Sequence, residues 1–88
     1  MPIFLISYDL NKVKDYPKLI TKLREHDCQR ALESLWFGEF NNTAQELLDY
    51  FKEFIDGDDG MLVAEISKGK LARKMTKHGT SDWLASHG

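Results

Sequence analysis

The segment Ile3-Phe4-Leu5-Ile6-Ser7-Tyr8-Asp9-Leu10 is nearly unbroken in apolar residues. A strand apolar on both faces has to run inside a sheet, with a neighbour on either side. Its one charge, Asp9, stands at the exit, and Asn11, Lys12 and Lys14 bring the chain to the surface directly afterwards. An acid at such a junction either caps the next turn through its own side chain or is held out as a ligand. Everything functional in this chain turns on that choice.

The remaining elements follow from periodicity and punctuation. Strand one spans residues 2–8, and Asp15-Tyr16-Pro17 announces a helix, because proline fits a first turn where its missing N–H would lack a partner anyway. Tyr16, Leu19, Ile20 and Leu23 then repeat at helical spacing, with Lys18, Lys22, Arg24 and Glu25 on the other face. Between residues 31 and 40 the period changes to two: Leu32, Ser34 and Trp36 alternate with Glu33, Leu35 and Phe37, which is a strand pattern. Gly38 marks a bend, so this stretch is either one kinked strand or two short ones. Thr43 followed by Glu46 forms a capping box for a second helix, striped by Ala44, Leu47, Leu48, Phe51, Phe54 and Ile55 and ended by Gly57. Gly60 opens a last strand, Met61 to Ile66, and Ser81-Asp82-Trp83-Leu84 reads as a terminal turn anchored by an aromatic.

If residues 31–40 hold two strands, the order is βαββαβ: an α+β, ferredoxin-like fold with an antiparallel sheet and two helices on one face. Residues 1–67 make that domain, and residues 68–88 make a basic C-terminal extension. The second sheet face then lacks a cover. Trp36, Phe37, Leu35 and Met61 supply more apolar surface than two helices hide, which points to a face-to-face homodimer.

Charge divides the chain at the same place. Residues 1–67 carry seven basic and thirteen acidic side chains, net -6, whereas residues 68–88 carry five basic and one acidic, net +4. Lys68, Lys70, Arg73, Lys74 and Lys77 are therefore a local cationic patch, suited either to phosphates or to the protein's own acids. No apolar run exceeds four residues and no basic leader precedes the first, so the expectation is a cytoplasmic protein without membrane contact. A lone Cys28 excludes an intrachain disulfide and reads as a small semi-buried side chain.

Tyr8-Asp9-Leu10, Leu32-Glu33-Ser34-Leu35-Trp36-Phe37 and Asp58-Asp59-Gly60-Met61-Leu62-Val63 together resemble the small CRISPR-associated adaptation nucleases, CRISPR-associated protein two. The resemblance is nearest to compact SinR-like relatives, where a terminal Trp-Leu such as Trp83-Leu84 also occurs; VapD-like toxin ribonucleases share the fold. It implies a ferredoxin-like homodimer in which the strand-one aspartates face each other across the two-fold axis and hold magnesium, in defence against phages and mobile elements. Asp9 is the residue it carries over, as catalytic group and metal ligand. Tyr8, Asn11 and Ser34 are then its supporting neighbours, and Lys12 and Lys14 join the tail cations as nucleic-acid contacts. Two departures stand out. Asn11-Lys12-Val13-Lys14-Asp15 replaces the adjacent arginines common after this aspartate, and the tail does not read as the extra strand that engages an integrase subunit.

The chemistry fits those residue types. Water cuts a phosphodiester only when a nucleophile is activated and charge on phosphate and leaving oxygen is stabilised, and a carboxylate-held divalent cation does both. A single aspartate is thin coordination, but two copies across an axis suit magnesium, which keeps several waters. The other class of function is a non-catalytic dimeric module that binds nucleic acid or a protein partner through the tail. Further candidates are weaker. His26, His78 and His87 lack metal spacing and read as surface side chains. Asp56, Asp58, Asp59 and Gly60 fail as a calcium loop because Ser67, not Glu, stands at the twelfth position.

Overall fold

The computed structural model describes residues 2–9 and 17–87, Lys68 by its backbone only. The strands are β1 (Ile3–Asp9), β2 (Gln29–Leu32), β3 (Leu35–Glu39) and β4 (Gly60–Ile66), and the helices are α1 (Pro17–Glu25), α2 (Ala44–Phe51) and α3 (Thr80–Ser86). The sheet order is β2-β3-β1-β4, and all three pairings are antiparallel. This is the ferredoxin-like arrangement, with the apolar strand β1 inside the sheet as its composition requires. Tyr16, expected on the first helix, lies outside the described residues.

The middle segment is two strands, but Gly38 does not divide them. The break falls at Glu33-Ser34, where Arg30 ties the turn by donating from Nε (3.0 Å) and Nη2 (2.7 Å) to the Glu33 carbonyl. Gly38 sits within β3 opposite Phe4, and a Cβ there would meet the Phe40 ring and come within 2.8 Å of Cys28 Sγ. The glycine makes room for packing rather than for a bend.

Each helix is set by local chemistry. α1 ends in a Schellman motif: Asp27 takes the left-handed conformation (φ 58°), its N–H reaches the Arg24 carbonyl, and the Cys28 N–H reaches Leu23 O at 3.0 Å. α2 carries the full capping box, Glu46 N–H donating to Thr43 Oγ1 (3.1 Å) and Thr43 N–H to Glu46 Oε1 (2.8 Å). It runs on only through a 3-10 turn, Lys52–Phe54, and so stops short of Gly57.

Two apolar clusters form, one on each sheet face. Leu19 and Leu23 of α1 and Leu47 and Phe51 of α2 pack on Phe4, Ile6, Tyr8 and Trp36. On the opposite face Trp83 and Leu84 of α3 pack on Ile3, Ala31 and Phe37, with Leu71 alongside. The second face is thus partly covered from within the chain. Trp36 and Met61, expected on it, belong to the helix-covered cluster, and Phe37 stacks under Trp83 at 6.5 Å. The sequence reading failed here because strand alternation sorts these residues only once register is known. Leu62, 57% exposed, and Leu32, 45% exposed, stay open on it.

α3 is pinned to the end of α1. Trp83 Nε1 donates to the Asp27 carbonyl at 2.7 Å, and the His87 ring stacks on Trp83 with Nε2 at 3.1 Å from the Asp27 carboxylate. His87, read from sequence as a surface side chain, is therefore packed; its side chain is 19% exposed.

Candidate functional site

β1 delivers Asp9 at its exposed end, paired with Gly60 at the start of β4. Phe4, Ile6 and Tyr8 go to the helix side and Ile3 and Leu5 to the other, so alternation puts Asp9 on the face not covered by α1 and α2. The carboxylate is then at the open end of the more open face.

Tyr8 stands on the opposite face from Asp9. Its buried hydroxyl accepts a hydrogen bond from Trp36 Nε1 at 3.2 Å, and its N–H donates to the Ser34 carbonyl at 3.1 Å. Both contacts tie β1 to β3, and neither reaches the Asp9 carboxylate. Asn11, Lys12 and Lys14 lie outside the described residues.

Antiparallel pairing adds a neighbour that sequence reasoning set aside. Because β4 starts where β1 ends, the loop before Gly60 arrives at the Asp9 end of the sheet, where Asp56 and Asp59 line a pocket with Leu48, Lys52 and Met61 on the helix-covered side. The carboxylate oxygens of Asp56, Asp58 and Asp59 lie within 4.8 Å of one another. The loop is closed on itself: Asp56 N–H donates to Asp59 Oδ2 (2.9 Å), and Asp59 N–H to Asp56 O (3.1 Å). Such an all-oxygen donor set suits a hard, hydrated cation, magnesium or calcium. The sequence signal is Asp58-Asp59 immediately before an apolar strand, outside any calcium-loop spacing.

The tail cations do not gather. Lys68 and Lys70 lie in a 3-10 turn just beyond Ile66, which pairs with Ile3 at the far end of β1 from Asp9. At about 3.3 Å per residue, that end is roughly 20 Å away. Lys77 returns to the Asp9 end, where its Nζ lies 3.4 Å from Glu33 Oε2, and Arg30 Nη2 lies 3.7 Å from the same carboxylate. Arg73 donates to Thr76 Oγ1 at 3.2 Å. Among the described side chains of the tail, Lys77 therefore meets the protein's own acid, while Arg73 and Lys74 stand next to each other nearer β4.

Other reactive groups are spoken for. Burial, with the neighbouring Asp27 charge second, pushes the Cys28 thiol up to about 12, so it stays protonated and inert. His26 Nε2 lies 3.2 Å from the Tyr50 hydroxyl, and its ring packs among Phe40, Tyr50 and Phe51. Among the described residues no helix is long and apolar enough to cross a membrane.

Comparison with protein families matches residues 1–74 to the model described as CRISPR associated protein Cas2. The match takes in all four strands, the acidic loop and the first tail cations, and it stops before α3.

Proposed function

The chain belongs to the CRISPR associated protein Cas2 family, and from that premise we propose that it is a homodimeric, metal-dependent nuclease-like protein of CRISPR-based defence, acting on nucleic acid at its dimer axis. The observation that carries this reading is the position of Asp9: exposed, at the end of the central strand, on the face left open by α1 and α2. Proteins of this family are typically dimeric and metal-dependent. Two-fold pairing of that face brings two copies of Asp9 towards one axis, with Leu62 beside them as apolar surface to bury.

The residues fit a divalent ion in donor chemistry. Asp9 offers one carboxylate per chain, and the Asp56, Asp58 and Asp59 group adds negative potential at the same end of the sheet. Magnesium, when bound, supplies charge neutralisation at the phosphate and activates water. The chain's own part is to hold the Asp9 carboxylate at a fixed height through seven paired residues of β1 and to draw cations to that end. In this reading Lys77 and Arg30, which share Glu33 two strands away, exchange that carboxylate for backbone phosphate leading to the axis. Lys12 and Lys14 belong to the same proposed contact.

The test is cleavage of labelled RNA and DNA with magnesium or with EDTA, by the unaltered chain and by Asp9→Ala, with the oligomeric state measured by light scattering. Magnesium-dependent cleavage lost in Asp9→Ala is expected. Cleavage unchanged in the variant removes Asp9 from the chemistry. A dimer that binds but cuts no substrate makes the protein a binding module.

A further inference from the structure

Two arginines share one buried indole. Arg30 of β2 stands opposite Trp36 of β3 in the strand register, with its guanidinium carbon 5.5 Å from the centre of the ring, and Arg24 comes down from the last turn of α1 to 5.8 Å. Trp36 is buried and held in place, its Nε1 donating to the Tyr8 hydroxyl at 3.2 Å. A guanidinium lying over an aromatic ring keeps its N–H edge free for a second partner, and has less freedom left to lose when that partner binds. Lys77 extends the line: its Nζ and Arg30 Nη2 meet on the Glu33 carboxylate, at 3.4 and 3.7 Å, while its N–H caps the outer edge of β2 at Ala31. Arg24, Arg30 and Lys77 thus follow one another past that edge towards the Asp9 end of the sheet.

Charge and position choose the occupant. The acids that follow Arg24 in sequence are engaged elsewhere, Glu25 Oε1 with Lys22 Nζ at 3.3 Å and Asp27 Oδ2 with His87 Nε2 at 3.1 Å. Among the described residues no carboxylate pairs with Arg24 itself. Trp36 belongs to the cluster under α1 and α2, so the pair stands clear of the face that the proposed dimer buries. An excess of positive charge presented as planar forks fits phosphate, which guanidinium takes through two parallel N–H bonds. Two forks on one ring are near enough to hold successive phosphates of a single strand. We propose that Arg24 and Arg30, set by Trp36, grip the phosphodiester backbone of a nucleic acid on the helix-covered side of β2, in line with Lys77. The inference rests on the nucleic-acid part of the proposed function and is independent of cleavage at Asp9. Arg24, on the outer face of the first helix, is the residue it adds.

The test is binding of labelled oligonucleotides, single-stranded and duplex, to the full chain in EDTA, read by fluorescence anisotropy at several salt concentrations. Arg24→Gln should weaken binding about fivefold at low salt and lower the slope of log K against log salt by about 1, whereas Arg24→Lys keeps the slope. Asp9→Ala should bind as the unaltered chain does. Arg30 also ties the Glu33 turn, so the exposed Arg24 carries the test, with an unchanged melting temperature as the check on folding. In the same titration followed by NMR, the Trp36 Nε1–H resonance should shift while that of Trp83 stays, a response that a merely structural arginine would not give. Affinity and slope unchanged in Arg24→Gln overturn the inference and leave nucleic-acid binding in place, as does a shift of Trp83 without one of Trp36. An unaltered chain that binds no oligonucleotide overturns both the inference and the reading beneath it. Inorganic phosphate that shifts Trp36 where oligonucleotides do not overturns the assignment to a nucleic-acid backbone.

Discussion

Under α1 and α2 the sheet is closed by interlocking side chains, with Phe4, Ile6, Leu19, Leu23 and Phe51 wholly removed from solvent, whereas α3 covers Ile3, Ala31 and Phe37 and leaves Leu62 exposed. The two faces also differ in what holds them. The first is sealed by two helices with caps of their own. The second relies on a seven-residue helix too short to form alone, which persists because Trp83, Thr80 and His87 fasten it. Stability is concentrated on one face, and the candidate chemistry and the open leucine lie on the other, as expected where a surface must admit a partner.

Substitutions on each face sharpen or break this contrast. Phe51→Ala on the closed face should cost about 4 kcal/mol in denaturant unfolding, the range for emptying a well-packed aromatic site. Trp83→Ala should cost about 2 kcal/mol, less than a core aromatic, because undocking α3 limits the loss. Hydrogen exchange should then speed up in residues 71–87 while β1 and β3 stay protected. If β1 loses protection equally, the second face is core and the contrast fails.

Cys28 reports how dry the closed face is. Its thiol ionises near 9 when unfolded and is pushed up to about 12 when folded. Between those values the unfolded chain gives up a proton that the folded chain keeps, so stability falls as pH rises, by at most about 1.4 kcal/mol per pH unit. Cys28→Ala should remove that component of the alkaline slope, measured as the difference between the two proteins' denaturation midpoints from pH 9 upward. An unchanged slope means water reaches the thiol.

The smallest effect belongs to the open face. Leu62→Ser should change the stability of the monomer by less than about 0.5 kcal/mol, since the side chain is more than half exposed. The same substitution should weaken self-association if the proposed dimer uses this face, which dilution series by light scattering would show.

Much of the closed face was legible beforehand. Pro17 at the start of α1, the Thr43 and Glu46 capping box and the stripes of Leu19, Leu23, Leu47 and Phe51 are local signals, and each element formed where its signal stood. Gly38 misled because glycine spares space as well as permitting bends, and only packing against Phe40 and Cys28 shows which. The turn at Glu33-Ser34 had no glycine or asparagine to announce it; the Arg30 side chain closes it instead.

By itself the sequence determined the elements, the antiparallel plan and the place of Asp9 at a strand exit, because periodicity, caps and apolar runs act between residues close along the chain. Tertiary structure alone decided that the loop carrying Asp56, Asp58 and Asp59 enters at the Asp9 end of the sheet, that Lys77 meets Glu33 at that end while Lys70 follows β4 at the other, and that Trp83 covers part of the second face. Those outcomes depend on strand register and on contacts between residues more than forty positions apart, such as Asp27 with Trp83, and no local pattern encodes them.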